Sequence, residues 1–357
     1  MRKIICYSFC SMALLFAACK KDAATSADKE ETKTKPRARG EMVFNTVTAF
    51  GVEAQGADIA VKDINGNGIP DIFLMHHDAP TPGANQFRYQ VAYDVDMYGA
   101  TTNFSDVKSL WSGVSSADGA GMSIGDIDKN GIPDIVLMSY DAPSSGPNVF
   151  KYIVGFNLNA SGNPAYWSNF YTIPGISSRA MDASAALGDI DGNGTLDLLL
   201  AACDATGYIR YQVAFNLAAN GQAATTLPNY VTVNHVAANN QGLGVDVSDL
   251  NGDGRPEVIF MGYDNPSGLN SFRTFSATFN TNGSLSNLTP FYQYTGVCYE
   301  AQGAGVALAD IDNSGKKDII FMAEDNPPGT NYFKYYVGFD LKENRYTKVW
   351  MTEEVPR

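Results

Sequence analysis

The sequence predicts an all-β fold, a β-propeller most simply built of five four-stranded blades, and three observations lead there. An acidic nine-residue pattern occurs five times: DINGNGIPD from Asp63, DIDKNGIPD from Asp126, DIDGNGTLD from Asp189, DLNGDGRPE from Asp249 and DIDNSGKKD from Asp310. Its first Asp advances by 63, 63, 60 and 61 residues, and a period this regular fixes the architecture before any single segment is read. The same short apolar segments flank every copy in the same order, and no helical periodicity runs for long. Aromatic and β-branched runs between Gly, Asn, Asp and Pro clusters are the pattern of strands and turns.

The elements follow from the N-terminus. Residues 1–18 read as a targeting segment, with basic Arg2 and Lys3 before the apolar CYSFCSMALLFAA. Its end, Phe16-Ala17-Ala18-Cys19, resembles the lipobox of bacterial lipoproteins, and that resemblance implies lipid on Cys19 and a place in the bacterial cell envelope, with the outer membrane expected. The alternatives are an ordinary secretory signal or a short anchor, and the apolar run is short for a membrane span. Residues 19–41 hold almost no apolar side chain, so they cannot bury enough surface to order themselves and read as a tether. The propeller is expected over residues 42–357.

Each repeat opens on a strand of small residues: GADIAVK, GAGMSIG, DASAALG, GLGVDVS, GAGVALA. Larger side chains alternate with small ones, as Ile59 and Val61 do around Ala60, and smallness is what strands converging on one axis require. After the acidic loop comes IFLM, IVLM, LLLA, VIFM or IIFM, then a turn such as HDAP or YDNP. A third strand (FRYQVAYDV, FKYIVGFNL, IRYQVAFNL, FRTFSATFN, FKYYVGFDL) and a less regular fourth one with an aromatic complete the unit. Four strands in each repeated unit make a propeller blade. The segment from Val43 looks like the fourth-strand entry from Phe291, so the chain starts on an outer strand that can close the ring in the last blade beside RYTKVWMTE.

The loops have the donors of a calcium site, which takes six to eight oxygens from a tight acidic turn. Side chains at positions 1, 3, 5 and 9 and the backbone carbonyl at position 7 are the candidates. They are Asp63, Asn65, Asn67, Ile69 and Asp71; Asp126, Asp128, Asn130, Ile132 and Asp134; Asp189, Asp191, Asn193, Thr195 and Asp197; Asp249, Asn251, Asp253, Arg255 and Glu257; Asp310, Asp312, Ser314, Lys316 and Asp318. Gly at position 6 allows the sharp turn. An EF-hand would place Glu at position 12, where this chain has Leu74, Leu137, Leu200, Phe260 and Phe321 on a strand. On these motifs the chain resembles the FG-GAP repeats of integrin α-subunits and the related VCBS repeats of bacterial surface proteins, over about residues 42–356. The resemblance implies a propeller with up to five structural calcium ions in its hairpin loops and a role in adhesion or ligand binding. Ser314 and Glu257 depart from the pattern, which weakens the fifth site most and the fourth somewhat. The competing reading is that Asp and Asn only make turns between strands.

Fifteen residues after each loop's first Asp stands another: Asp78, Asp141, Asp204, Asp264 and Asp325. One strand's length puts these on the opposite face, with the basic Arg88, Lys151, Arg210, Arg273 and Lys334 early in the third strand and Gln55, Asp118, Met181, Gln241 and Gln302 before the loops. They are either a polar ring for a sugar or peptide or a set of turn-capping ion pairs, the second being favoured.

Net charge of −13, with 14 of the 38 acids in the five loops, argues against a nucleic-acid partner. Cys203 and Cys298, in different repeats, read as buried free thiols. His76, His77 and His235 read as surface or turn residues, and GMSIG around Ser123 as a chance match to a nucleophile motif. The leading expectation is a calcium-stabilised envelope lipoprotein acting as a binding or adhesion module, with a surface glycan or protein as the ligand to test. The alternatives are a polysaccharide lyase or glycosidase, for which Glu53, His76, His77 and Arg88 form the one nameable cluster, and a scaffold in an envelope complex.

Overall fold

A computed structural model describes residues 45–49, 54–78, 83–114, 116–143, 146–176, 179–235, 240–264, 270–298, 301–325, 331–342 and 345–348. The targeting segment, the tether, Cys19 and Glu53 lie outside the described residues.

The chain enters on β1 (Asn45–Thr48) and then lays down five antiparallel sheets in succession. Blade 1 is β2 (Ala54–Val61), β3 (Ile72–Asp78), β4 (Gln86–Ala92) and β5 (Lys108–Trp111). Blade 2 is β6 (Ala117–Gly125), β7 (Asp134–Asp141), β8 (Val149–Phe156), β9 (Tyr166–Trp167) and β10 (Tyr171–Pro174). Blade 3 is β11 (Ala180–Gly188), β12 (Asp197–Asp204), β13 (Tyr208–Leu217), β14 (Ala223–Thr226) and β15 (Val231–His235). Blade 4 is β16 (Asn240–Ser248), β17 (Glu257–Asp264), β18 (Ser271–Phe279), β19 (Leu285–Ser286) and β20 (Tyr292–Thr295). Blade 5 is β21 (Ala301–Ala309), β22 (Asp318–Asp325), β23 (Tyr332–Lys342) and β24 (Arg345–Lys348). No helix occurs among the described residues.

The fourth strand is where the blades depart from a plain four-strand count. In blades 2 to 4 it is two short pieces that pair with the two ends of the third strand, as β9 does with Gly155–Phe156 and β10 with Val149–Tyr152. In blade 5 the two pieces come from opposite ends of the chain. β24 takes Phe339–Lys342, and β1 takes Tyr332–Tyr335. The expected closure by the first strand is thus present.

Five clusters of buried apolar side chains lie one between each pair of neighbouring blades, and the fifth joins blade 5 to blade 1 through Ile72, Leu74, Ile320, Met322 and Phe333. A tyrosine on the third strand staples four of these seams. The hydroxyls of Tyr89, Tyr152, Tyr211 and Tyr335 donate at 2.8–3.0 Å to the turn carbonyls of Gly162, Gly221, Gly283 and Gly99 in the next blade. Thr274 stands in that place in blade 4.

The axis is plugged at the level of the inner-strand glycines, and only toward the acidic loops does it widen into a cavity of about 130 Å³ lined by residues such as Val61, Ile124, Leu187, Val247 and Leu308. A Cβ on Gly119 would sit 2.2 Å from the backbone nitrogen of Ala183, and one on Gly303 2.2 Å from that of Ala57. Inner strands this close leave backbone N–H groups facing the axis, and those groups need acceptors. Three acids supply them, each standing where most other repeats have Gly or Ala. Asp58 accepts from Met122 N at 3.0 Å and Ser184 Oγ at 2.8 Å. Asp182 accepts from Leu243 N at 2.9 Å and Ala304 N at 3.2 Å. Asp246 accepts from Leu308 N at 2.7 Å. Burial pushes the Asp58 and Asp182 carboxyls well above the ordinary range, and Asp246 up to about 6, despite these bonds.

Candidate metal loops and the opposite face

Every acidic loop joins the first and second strands of its blade, so all five lie at one end of the toroid. The position-one carboxylate clamps the turn from inside. Asp63 accepts from Gly66 N at 2.8 Å and Gly68 N at 2.7 Å, and Asp126, Asp189, Asp249 and Asp310 each accept from the glycine at position six in the same way. The position-nine acid is fully buried at the start of the second strand. Asp71 accepts from Ile64 N at 3.0 Å and Asp94 N at 2.8 Å, and Asp134, Asp197 and Asp318 repeat both bonds. Burial raises the pKa of all four, with Asp197 pushed up to about 6. The N–H bonds pull it back, and neighbouring loop acids push it up again. A bound cation inverts that balance.

In three loops the carboxylates converge. Asp126, Asp128 and Asp134, then Asp189, Asp191 and Asp197, then Asp310, Asp312 and Asp318 each bring one oxygen per residue within 4.8 Å of one another. Blade 1 has Asn65 in place of the central acid, and the amides of Asn65 and Asn67 donate to Asp94 at 3.0 and 2.6 Å. Among the described residues Asp249, Asp253 and Glu257 form no such cluster. Position three there is Asn251, whose Nδ2 donates to Glu257 at 3.0 Å, while Glu257 keeps the bond from Leu250 N at 2.9 Å. The loop with Ser314 thus gathers its acids, and the loop with Glu257 does not. At position seven Ile69, Ile132, Thr195 and Arg255 donate their N–H to the position-five side chain at 2.8–2.9 Å, and the side chain of Lys316 reaches Asp340 at 3.0 Å.

One set of loop residues was missed. Asp94 and Asn157, just past the third strand, and Asn216 and Asp340, near its end, have φ of 51–58° and donate N–H to the position-nine acid, and the first three also accept from the position-five amide. The signal was present as an aromatic followed by Asp or Asn at the end of each third strand: Tyr93-Asp94, Phe156-Asn157, Phe215-Asn216, Phe339-Asp340.

On the opposite face the expected ring is mostly committed to structure. Asp78 pairs with Arg88 at 2.9 Å and Asp264 with Arg273 at 3.0 Å. Asp204 pairs with Arg210, and Asp325 with Lys334. The four acids are buried. Blade 2 differs: Asp141 accepts from Ser116 N at 3.1 Å, while Lys151 reaches the Gly113 carbonyl and lies over the Phe170 ring. Nearer the axis, Asp118 pairs with Arg179. Gln241 accepts from Ala301 N, Gln302 accepts from Asn331 Nδ2, and Met181 and Gln55 are exposed. These candidates are thus ion-paired or bonded scaffold, except the exposed Met181 and Gln55.

The histidines are corrected as well. His76 and His77 are fully buried, not on the surface, because they extend the second strand of blade 1 into the seams on either side. His76 Nδ1 lies 3.0 Å from Glu324 of blade 5. Ser123 accepts from Leu187 N at 3.0 Å as part of the axial packing. Cys203 and Cys298 are free and buried.

Residues 249–321, from the blade 4 loop to the second strand of blade 5, match the FG-GAP-like repeat. The five blades fit an FG-GAP repeat propeller. No curated protein matches the chain. Among solved structures this chain is similar to a mutant of AofleA from Arthrobotrys oligospora, with a TM-score of 0.43 and 8% identity over 87% of this chain and 91% of that one. It is also similar to the six-bladed fucose-recognising lectin of Aleuria aurantia, at 0.39 and 8% over 83% and 99%. Sialidase from Trypanosoma rangeli follows at 0.37 and 11% over 80% and 45%. All three likenesses are loose.

Proposed function

We propose that this chain is a calcium-stabilised binding module of the bacterial cell envelope, held to a membrane by lipid on Cys19 and taking carbohydrate on the face opposite the acidic loops. The observation that carries the reading is the convergence of three carboxylates in each of the loops of blades 2, 3 and 5. The donors there are hard oxygens without a sulfur or imidazole among them, which suits calcium rather than a softer metal. Asp126, Asp128 and Asp134 and their counterparts would hold the ion, whose charge offsets their repulsion and fixes the hairpin. Blade 1 offers Asp63 and Asp71 with two amides, a less charged version of the same site.

For the ligand, support comes from a groove of about 530 Å³ between the outer strands of blades 2 and 3, lined by Pro147, Asn148, Thr172, Pro174, Ile176 and Tyr230. Flat apolar surfaces with a few amide and hydroxyl groups suit a sugar ring, whose C–H face stacks while its hydroxyls seek donors and acceptors. A glycan array run with and without calcium, with product release assayed in parallel, tests the reading. Binding that is lost when Thr172→Arg fills the groove supports it. Release of cleaved sugar would make the protein an enzyme instead, and an unchanged melting temperature in EGTA would remove calcium from it. Metabolic labelling with a fatty acid, absent in Cys19→Ser, tests the anchor.

A further inference from the structure

At the end of each second strand, on the face away from the loops, the residue fourteen past the loop's first Asp enters the seam to the next blade. There it faces the residue thirteen past the first Asp of that neighbour. In the blade 5 to blade 1 seam this pair is Glu324 and His76, bonded at 3.0 Å. In the seams after blades 2 and 4 the incoming residue is a tyrosine. Tyr140 Oη donates to Ile176 O at 3.0 Å, and Tyr263 Oη donates to Cys298 O at 2.6 Å and accepts from Cys298 N at 2.9 Å. Cys203 reaches the Asp182 carbonyl in the seam after blade 3. Four seams therefore end on a bonded polar atom.

The seam between blades 1 and 2 does not. Its pair is His77 and Ser139, both fully buried, and neither ring nitrogen of His77 nor the Ser139 hydroxyl has a hydrogen-bond partner. Phe73 and Met75, two and four residues before His77, pack in the same cluster as Ile135 and Leu137, two and four before Ser139, so alternation brings both to this seam. A third orphan belongs to it. Ser112 N donates to Asn85 O at 3.0 Å, the bond that Gly175 and Gly296 make to Asn148 O and Asn270 O at 2.9 Å. A Cβ at Gly175 would lie 2.9 Å from Tyr140 and one at Gly296 2.7 Å from Tyr263 Oη, so the Ser112 side chain projects toward His77. Its hydroxyl is buried and has no partner.

Four buried polar atoms left unpaired in one place is a costly arrangement that native proteins resolve with a bound molecule. We infer that the seam between blades 1 and 2 encloses ordered water, held by the His77 imidazole and the hydroxyls of Ser112 and Ser139 in the position that the tyrosine hydroxyl takes in the seams after blades 2 and 4. The chemistry points to a neutral, two-way hydrogen-bonding ligand. The site has one imidazole and two hydroxyls, so it lacks the anionic donors a metal ion needs, and Asp78, next to His77 in sequence, is paired with Arg88. It has no fixed cation to hold an anion, and burial keeps the imidazole neutral down to about pH 3. A water bonds to two to four polar partners, and these residues offer that number.

Two measurements decide the matter. A crystal structure of the full chain is expected to show solvent density within hydrogen-bond reach of His77 and at least one of the two serines; a dry seam would overturn the inference. Ser139→Ala separates the cases by sign. If water is present the change removes one of its partners, and the melting temperature falls by about 2 °C or more. If the seam is dry the change removes an orphan hydroxyl, and the melting temperature rises, which would overturn it equally.

Discussion

Gly119 and Asp58 show what single residues do in this molecule. Gly119 has φ of 145° and its absent Cβ would collide with the backbone of the next blade, so neither the conformation nor the space admits a side chain. Gly119→Ala is expected to cost several kcal/mol, read as a lowered urea midpoint, whereas Gly113→Ala, beside a Phe170 ring that can move, should cost less. Asp58→Ala would orphan Ile59 N, Met122 N and Ser184 Oγ at once, and a loss of about 3 kcal/mol or more is expected from urea unfolding. His77 sets a pH dependence. Burial first, and His76 second, push its pKa from 6.5 down to about 3. The unfolded chain therefore binds a proton between pH 6.5 and 3 that the folded chain refuses. The contribution of His77 to stability is full above pH 6.5 and declines as pH falls through that window, on the order of 1.4 kcal/mol per unit at most. Asp58, Asp182 and Asp246, whose pKa values are raised, act in the opposite sense. Comparison with a variant isolates the histidine: the melting temperature of His77→Tyr relative to the parent should rise as pH is lowered from 7 to 4. A constant difference would mean His77 does not titrate as its burial demands.

At the scale of the element, the acidic hairpin is the unit to test. Asp191 converges with two other carboxylates and Asp253 does not, so Asp191→Asn should weaken one calcium site in titration calorimetry, while Asp253→Asn leaves the binding isotherm unchanged. The hairpin was legible in sequence because its parts are local: nine residues carry the turn, the clamp and the buried acid. Its outer partners were not, because Asp94 and Asn157 lie 23 residues beyond the acids they bond, at the far end of a two-stranded hairpin. The same limit explains the histidines. His76 and His77 follow IFLM in a segment that reads as a turn, and only the neighbouring blades turn that position into an interior seam. The axial acids were visible as letters yet not as a class, since each occurs once where most of the other repeats carry Gly or Ala. Repetition reveals what repeats, and Asp58, Asp182 and Asp246 are exceptions to it.

For the whole molecule, repetition was enough to give the blade count and the closure, because a fixed period with an outer strand left over at the start has few other solutions. β1 completes blade 5, so removing residues 45–48 exposes the Tyr332–Tyr335 edge and uncovers part of the cluster that joins the last blade to the first. The truncated chain is expected to unfold at a markedly lower temperature and over a broader range in calorimetry; unchanged cooperativity would show that the apolar seams alone hold the ring. Chelation should weaken the same molecule from its other end. At free calcium a hundredfold above Kd each occupied loop contributes about 2.7 kcal/mol, so EGTA should lower the melting temperature by more in the parent than in Asp191→Asn.

The plugged axis has a bearing on how the two ends of this toroid influence one another. With glycine backbones touching and carboxyls wedged between them, no ion or solute can travel down the middle from the acidic end to the groove. Any sensitivity of ligand capture to the ionic environment must pass along the strands themselves, through the stiffness of each hairpin. The ring is, in engineering terms, a capped well and not a pipe.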